Sequence, residues 1–231
     1  MHARHQTKSG FTLIELLVVV SIVALLIGLL APALASARRT ADATICLNNL
    51  RQIAMISTIY ADDSRGYSPA LGVPWGREPF WARVVQVNAG ESDGAYEPNS
   101  LLVCPRTDRV EPEDMTRTYA VNVTGLAGAD GDRANYDEEF VHIRIDSVPF
   151  PGTTPWYLDS AAAPITGDQP PSSRTLATID FRDDTHIPDR LGTVHGTITD
   201  GRGDRFNITR FDGSADAGML PLPTGWLEPL P

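Results

Sequence analysis

The feature that most constrains this chain is an apolar stretch near its N-terminus. Residues 11–31 make twenty-one positions, and Glu15 is the only strongly polar residue among them. At about 1.5 Å per residue, one helix of this length crosses a hydrocarbon layer roughly 30 Å thick. The sequence therefore predicts a membrane-spanning helix at this end of the chain.

Three interpretations of the apolar stretch compete. A secretory signal peptide would join the short basic leader to a cleavage site among the small residues at 33–37. A plain membrane anchor would need no cleavage. Neither has a use for Glu15, because a carboxylate is costly in hydrocarbon. In the third interpretation the chain is cut between Gly10 and Phe11, and the new amino group pairs with Glu15 of a neighbouring copy inside the membrane.

The residues around this cut resemble the prepilin signature of type IV pilins and type II secretion pseudopilins. In that signature a Gly precedes an apolar, usually aromatic, first residue, and a Glu stands at the fifth position. Gly10, Phe11 and Glu15 match these positions. Pro32 follows twenty-one residues after Phe11, where many pilins carry a helix-kinking proline.

The resemblance implies how the chain is processed and where it is placed. A prepilin peptidase would cut after Gly10 and methylate the nitrogen of Phe11, and Glu15 would act in assembly with other pilin or pseudopilin subunits. The chain would cross the inner membrane once, with its head outside the cytoplasm. After assembly it would belong to a periplasmic pseudopilus or a cell-surface filament.

The helix is expected to continue well beyond the apolar stretch. Residues 33–63 contain neither Gly nor Pro and are rich in helix-forming residue types. One helical face carries an apolar stripe, with Ile56 at its margin: Cys46, Leu50, Ile53 and Tyr60. We expect the head to pack on this stripe.

The composition changes after residue 63. Of the 19 Gly and 18 Pro residues, 17 of each lie beyond this point, and no strong helical period returns. Six short segments rich in β-branched or aromatic residues predict strands, at 100–103, 118–123, 140–145, 176–181, 192–197 and 206–211. We predict an α+β, pilin-like fold, in which the long N-terminal helix packs against a loop-rich antiparallel sheet.

The predicted domain organisation has three parts. Residues 1–10 are a leader peptide, residues 11–63 form the long helix, and residues 64–231 form one soluble head. Within the helix, residues 11–31 are the transmembrane segment or filament core.

The charge of the chain limits its partners. The formal net charge is −10 at pH 7, with 29 acidic and 19 basic residues. Such a surface repels polyanions, so we do not expect the head to bind nucleic acid.

The two cysteines of the chain, Cys46 and Cys104, predict a single disulfide bond. Two cysteines are too few for a metal site, and one bridge suits an oxidising compartment outside the inner membrane. Two unpaired buried thiols are the alternative.

Several head segments also resemble a large group of bacterial pilin-like proteins named for a C-terminal His, nine residues, then Asp-Gly. The matching segments are C-L-N-N-L-R-Q-I from Cys46, L-V-C-P-R-T-D from Leu102, Y-A-V-N from Tyr119, P-S-S-R-T-L from Pro171 and F-D-G from Phe211. The spacing departs from that pattern, because sixteen residues (196–211) separate His195 from Asp212 and Gly213. A longer hairpin loop is the simplest explanation.

Candidate metal ligands lie in two places. Asp130, Asp132 and Asp137 belong to an acidic loop with enough oxygen ligands for calcium. The loop does not fit the EF-hand pattern, and a solvated acidic loop is the alternative. His195 and Asp212 could meet across the last two strands, as a hydrogen-bonded pair or as half of a metal site, with a simple turn and a satisfied histidine as the alternative.

Motifs of catalysis are missing from the sequence. Ser, His and Asp are present, but there is no G-x-S-x-G elbow, no H-E-x-x-H and no phosphate-binding Gly loop. We therefore expect no enzyme and no required cofactor.

The sequence predicts a pilin-like structural subunit, minor or specialised, that assembles through its N-terminal helix into a type IV pilus or a type II secretion pseudopilus. The alternative is a membrane-anchored surface or periplasmic binding protein that does not polymerise. Glu15 favours the first function, because a plain anchor has no need for a carboxylate at that position.

Overall fold

A computed structural model of the protein describes residues 12–91, 100–110, 117–160, 177–195 and 205–231. The chain divides into two compact units, one ending at Ala41 and the other comprising Asp42–Pro231. The predicted leader, with the cleavage site at Gly10 and Phe11, lies outside the described residues.

The first element is helix α1, Leu13–Asp63. Its part in the first unit is exposed at every residue from 13 to 41. Pro32 lies inside the helix, and a kink there stays a prediction. Among the described residues, α1 is the one helix that is long and apolar enough to cross a membrane, by length and composition.

In the second unit, α1 buries one face. Its buried residues recur mostly every three or four positions, as on one side of an α-helix: Asp42, Cys46, Leu50, Ile53, Ala54, Ser57 and Ala61. Cys46, Leu50 and Ile53 of the predicted stripe are each 0% exposed. Tyr60 and Ile56 are half-buried.

Five strands of the described residues form one sheet in the order β3-β1-β2-β4-β5. They are β1 (Tyr119–Asn122), β2 (Pro155–Asp159), β3 (Thr178–Ile179), β4 (Arg205–Arg210) and β5 (Ala215–Met219). The β1–β2, β2–β4 and β4–β5 pairs are antiparallel, and the β1–β3 pair is parallel. The predicted fold class, a long N-terminal helix with a sheet-containing head, is confirmed.

The sheet is mixed, which corrects the prediction of a purely antiparallel one. That prediction assumed that parallel neighbours would need a helical crossover. Between β1 and β3, however, the chain passes through β2 and a further long stretch up to Ala177. Because β2 runs antiparallel to β1, a later strand can run parallel to β1 without a helical crossover.

Three predicted strand segments contain strands, and two strands were not predicted. β1, β3 and β4 fall at the predicted positions 118–123, 176–181 and 206–211. Segments 140–145 and 192–197 instead contribute the isolated bridges Tyr67–Arg144 and His195–Arg205, and segment 100–103 lies in a turn. β2 and β5 are the two strands that lie outside the predicted segments.

The two faces of the sheet bury different clusters. Side chains alternate along a strand, so Tyr119 and Tyr157 pack with α1 in the larger cluster, whereas Ala120 and Leu158 belong to the smaller one. The larger cluster also contains Trp81, the first residue of α2 (Trp81–Ala89).

The outer face of the sheet is covered by short elements. The smaller cluster is completed by Phe181, Leu191 and Trp226. Trp226 lies in a 3-10 helix, Thr224–Leu227, and helix α4 (His186–Arg190) follows Phe181. Helix α3 (Pro105–Val110) and a second 3-10 helix, Ile145–Ser147, complete the described helical elements.

Candidate functional site

A reciprocal hydrogen-bonded pair, Thr12 and Glu15, closes the start of α1. The backbone N–H and the hydroxyl of Thr12 donate to Oε2 of Glu15 over 2.9 and 2.8 Å, and the Glu15 N–H donates to the Thr12 hydroxyl over 3.3 Å. This is a capping box, which satisfies backbone N–H groups at a helix start. It gives Glu15 a local role that we did not predict, although the spacing of Thr12 and Glu15 is its signal.

The apolar side chains of the first unit are exposed. Between Leu13 and Leu30, the large apolar side chains are 46% to 86% exposed. A continuous apolar surface of this kind is unfavourable in water. It therefore requires a covering of lipid or of other protein chains.

Cys46 and Cys104 form the predicted disulfide bond. Cys46 lies on the buried face of α1, and Cys104 directly precedes α3. The Cys104 N–H donates to the Thr118 hydroxyl over 2.6 Å. Both cysteines are 0% exposed, so the disulfide ties α1 to the segment before β1 from inside the core.

A histidine and a carboxylate lie beside this disulfide. Nε2 of His195 is 3.7 Å from Sγ of Cys104 and 3.2 Å from Oδ2 of Asp159. Asp159 is the last residue of β2 and is 0% exposed, and His195 is 5% exposed. Nε2 of His195 is thus within hydrogen-bond distance of the Cys104 sulfur and in close contact with the Asp159 carboxylate.

Backbone contacts hold His195 at this position. Its N–H donates to the Arg205 carbonyl over 3.0 Å, and the Arg205 N–H donates back over 3.1 Å. Earlier in the same segment, the Gly192 N–H donates to the Asp159 carbonyl over 2.9 Å. A Cβ at Gly192 would lie 2.5 Å from the Ser160 carbonyl oxygen, so this close approach to β2 requires glycine.

The Asp159 carboxylate is only partly satisfied by hydrogen bonds. Oδ2 accepts the Asn207 N–H over 2.5 Å, whereas Oδ1 is buried and has no hydrogen-bond partner among the described residues. The Tyr119 hydroxyl donates to the Cys46 carbonyl over 3.4 Å. Burial, followed by the negative charge of Asp159, raises the pKa of Tyr119 well above its usual 10.0.

Comparisons with known proteins show that the N-terminal part of the chain is similar to proteins already described. Residues 6–31 match the family described as the prokaryotic N-terminal methylation motif. Over 63 residues, the chain is 39% identical to the type IV wide pilus major component PilA4 of Thermus thermophilus. The N-terminal part of the chain is thus similar to a type IV pilin. The similar stretch makes up 27% of this chain and 48% of the relative, so it spans about half of that relative's length. No solved structure matches the chain.

In the head, His195 and Asp212 have different partners. His195 contacts Asp159 and Cys104, as described above, while Oδ1 of Asp212 accepts the Ser214 N–H over 2.9 Å in the turn between β4 and β5. Hydrogen bonds from the Ser214 side chain and backbone lower the pKa of Asp212 below its usual 3.8. Gly213, with a φ of 82°, completes this turn.

The acidic loop is closed by an arginine. Oδ2 of Asp132 accepts the N–H groups of Ala127 and Ala129 over 3.0 and 3.1 Å, and Oδ1 is 2.7 Å from Nη1 of Arg182. In the described part of the chain, the structure does not gather Asp130, Asp132 and Asp137 into a metal-ligand cluster. Among the described residues, the side chains that lie close enough together to hold a metal ion are instead those of Cys46, Cys104 and His195.

Two further residues with polar contacts that the sequence did not indicate are Arg182, which is partly exposed, and His186, which is buried. Arg182 joins Asp132 to Asp180, with Nη2 2.6 Å from Oδ2 of Asp180. The His186 Nδ1 accepts the Asp180 N–H over 3.0 Å, and its Nε2 lies 3.2 Å from Oδ2 of Asp183. These contacts assign the proton of the neutral ring to Nε2.

Proposed function

We propose that this pilin-like chain is a structural subunit, cut after Gly10 by a prepilin peptidase, methylated at the Phe11 nitrogen, and assembled through α1 with other pilin-like subunits. The observation that carries the proposal is the exposed apolar surface from Leu13 to Leu30 within a match to the N-terminal methylation motif. Lipid would cover this surface in the inner membrane, and neighbouring helices would cover it in a filament.

The assembled form is a type IV pilus or a type II secretion pseudopilus. Residues 64–231 are rich in Gly and Pro, and the stretch similar to a major pilus component makes up 27% of this chain. We therefore assign the chain to a minor or specialised subunit. The role is structural and requires no catalytic cofactor.

The head is proposed to lie outside the cytoplasm, at the inner membrane before assembly and in the filament afterwards. The Cys46–Cys104 disulfide supports this location, because such bonds persist in oxidising compartments and are rare in the cytosol. The net charge of −10 argues against nucleic acid as a partner of the head.

The intact mass of the protein isolated from its own cell envelope tests the processing step. We expect a mature chain that begins at Phe11 and carries one methyl group. A Gly10→Val variant is the matched control and should keep its leader. A mature start at Ser36 or Arg38 would instead identify an ordinary secretory signal peptide and overturn the proposal.

Shearing and crosslinking of the same cells test the assembly step. The processed wild type should appear in sheared filaments or in crosslinked ladders of several copies, and the Gly10→Val variant should stay in the membrane fraction. Processed wild type that is recovered only as single membrane-bound copies would support the alternative, an anchored head that does not polymerise.

A further inference from the structure

The buried residues around the disulfide have the chemistry of a metal site as well as of a covalent link. Two sulfurs, one imidazole nitrogen and one carboxylate converge there, and these are ligand types that bind zinc in proteins. The ligand atoms of Cys46, Cys104 and His195 all lie within 4.8 Å of one another. Cys46, Cys104 and Asp159 are each 0% exposed, and His195 is 5% exposed.

We propose that, when the Cys46–Cys104 disulfide is reduced, both thiolates, Nε2 of His195 and a carboxylate oxygen of Asp159 bind one zinc ion. The disulfide and the metal are then alternative occupants of the same site. This inference does not depend on whether the chain polymerises.

The distances across the site suit tetrahedral coordination. With typical zinc–ligand lengths, two ligands on one tetrahedral ion are about 3.6 Å apart for sulfur and nitrogen and about 3.4 Å apart for nitrogen and oxygen. The observed separations are 3.7 Å from Cys104 Sγ to His195 Nε2 and 3.2 Å from this Nε2 to Asp159 Oδ2. Reduction leaves the two sulfurs free to separate to the wider spacing that a tetrahedral ion requires.

Asp159 provides an independent indication of a ligand. Its carboxylate is fully buried, and Oδ1 has no hydrogen-bond partner among the described residues. A buried, unpaired carboxylate oxygen is costly. Coordination of a cation by Oδ2 would offset the buried negative charge that Oδ1 shares, and Oδ2 can keep the hydrogen bond from the Asn207 N–H at the same time.

The charges of the two forms balance. With Asp159 ionised and His195 neutral, the disulfide form carries a net charge of −1. In the metal form, two thiolates and Asp159 contribute −3 and the zinc ion +2, which again gives −1.

Interconversion of the two forms is a two-electron exchange. A dithiol supplies two electrons and two protons, which break the Cys46–Cys104 bond and give two thiols, while the dithiol becomes a disulfide. Zinc binding then releases both thiol protons as the zinc–sulfur bonds form. Oxidation reverses the sequence and releases the metal.

Cobalt(II) binding to the full-length protein in detergent micelles tests the proposal, because tetrahedral thiolate-bound cobalt has characteristic visible and near-ultraviolet absorption. The protein is reduced with a phosphine, which competes little for metal, under an oxygen-free atmosphere. We expect one equivalent of cobalt to bind with a tetrahedral thiolate spectrum, and zinc to displace it. The oxidised protein should not show this spectrum.

Substitutions identify the ligands. His195→Asn and Asp159→Asn should each weaken cobalt binding by the reduced protein about tenfold or more, and Cys46→Ser with Cys104→Ser should abolish the thiolate bands. His142→Asn is the matched control, because the ring of His142 bonds the Ser68 carbonyl at 2.7 Å outside the cluster. Near-ultraviolet circular dichroism of each oxidised single variant checks that it is folded.

Three results would overturn the proposal. One is a folded, reduced protein that binds no cobalt or binds it only in octahedral form. Another is a thiolate spectrum of equal affinity in the wild type and in folded His195→Asn and Asp159→Asn variants. The third is a reduced protein that unfolds and is not refolded by zinc, because metal bound to the native cluster must stabilise the native fold.

Discussion

The hydroxyl groups of Tyr157 on β2 and Ser57 on α1 lie 2.8 Å apart in a buried hydrogen bond. Ser57 is 0% and Tyr157 1% exposed. The second half of α1 is thus joined to the centre of the sheet by a polar contact inside an otherwise apolar cluster. Burial raises the pKa of Tyr157 above its usual 10.0, so the hydroxyl stays protonated and available for this bond.

Removing either partner of this bond should destabilise the head by different amounts. Ser57→Ala leaves the Tyr157 hydroxyl buried without a hydrogen-bond partner, which should cost about 2 kcal/mol. Tyr157→Phe leaves a Ser57 hydroxyl that can donate to a backbone carbonyl of its own helix, so the loss should be about 1 kcal/mol. The double variant should lose less than the sum of both. Urea unfolding of all four proteins measures the coupling, and strictly additive losses would contradict it.

Arg182 should be a main contributor to the stability of the head. Asp132 and Asp180 have side chains only 2% and 4% exposed, and Arg182 lies between them at 29% exposure. Arg182→Met leaves both carboxylates without their cation. We expect a loss of about 2 kcal/mol in the free energy of unfolding, somewhat below that for a fully buried pair because Arg182 reaches solvent.

The exposed pair of Arg144 and Asp146 is the matched control for Arg182. These side chains are 55% and 62% exposed, and Nε of Arg144 lies 2.8 Å from Oδ1 of Asp146. Arg144→Met should leave urea unfolding almost unchanged, because exposed ion pairs add little stability. Equal losses from Arg144→Met and Arg182→Met would show that burial of the Arg182 cluster has no stabilising effect.

Local patterns predicted the helix and part of the sheet. The buried face of α1 follows from residue spacing, because a helix repeats its faces every few residues. β1 and β4 contain β-branched or aromatic residues, as strands commonly do. β2 was missed because it begins with Pro155 and ends with Asp159, and β5 because A-D-A-G-M has no such residues.

The buried cluster could be predicted only in part. Pairing of the two cysteines needed only their number and the inferred compartment. Asp159 and His195, which lie beside the disulfide, are distant in sequence from Cys104 and from each other. They meet because β2 ends beside the bridge between His195 and Arg205. Such contacts are set by strand order, which no local pattern in the sequence specifies.

His186 should make the stability of the head depend on pH. Burial, followed by the positive charge of Arg190, lowers the pKa of His186 below its usual 6.5, against the opposing charges of Asp183 and Asp180. Below pH 6.5 the unfolded chain therefore binds more protons than the folded one. The free energy of unfolding should be highest above this pH and should fall as the pH drops through the window between 6.5 and the lowered pKa.

Urea unfolding at a series of pH values measures this effect. His186→Gln cannot take up a proton in that window, so its stability should decline less than that of the wild type as the pH falls. His142→Gln is the control histidine variant, since His142 lies in a different segment and bonds the Ser68 carbonyl. Identical pH profiles for the wild type and His186→Gln would contradict the prediction.

Glu15 has two roles that substitutions can separate. In the single chain its carboxylate closes the capping box with Thr12, and in the proposed filament it pairs with the Phe11 amino group of a neighbouring copy. Glu15→Gln keeps an acceptor for the capping box but removes the charge. Thr12→Ala removes the two hydrogen bonds of the Thr12 hydroxyl and keeps the charge, and Glu15→Val removes both the carboxylate acceptor and the charge.

Assembly of these variants shows which role matters. If the charge pairs with the amino group of the next subunit, Glu15→Gln and Glu15→Val should both lose sheared filaments and crosslinked ladders, because an unpaired cation would remain in a water-poor helix bundle. Thr12→Ala should still assemble. All three should be cut after Gly10 and stay membrane-bound, since none lowers the hydrophobicity of the spanning segment.

If Glu15→Gln assembles like the wild type while Thr12→Ala fails, the carboxylate serves the helix cap alone. Charge pairing between subunits would then be excluded as the basis of assembly.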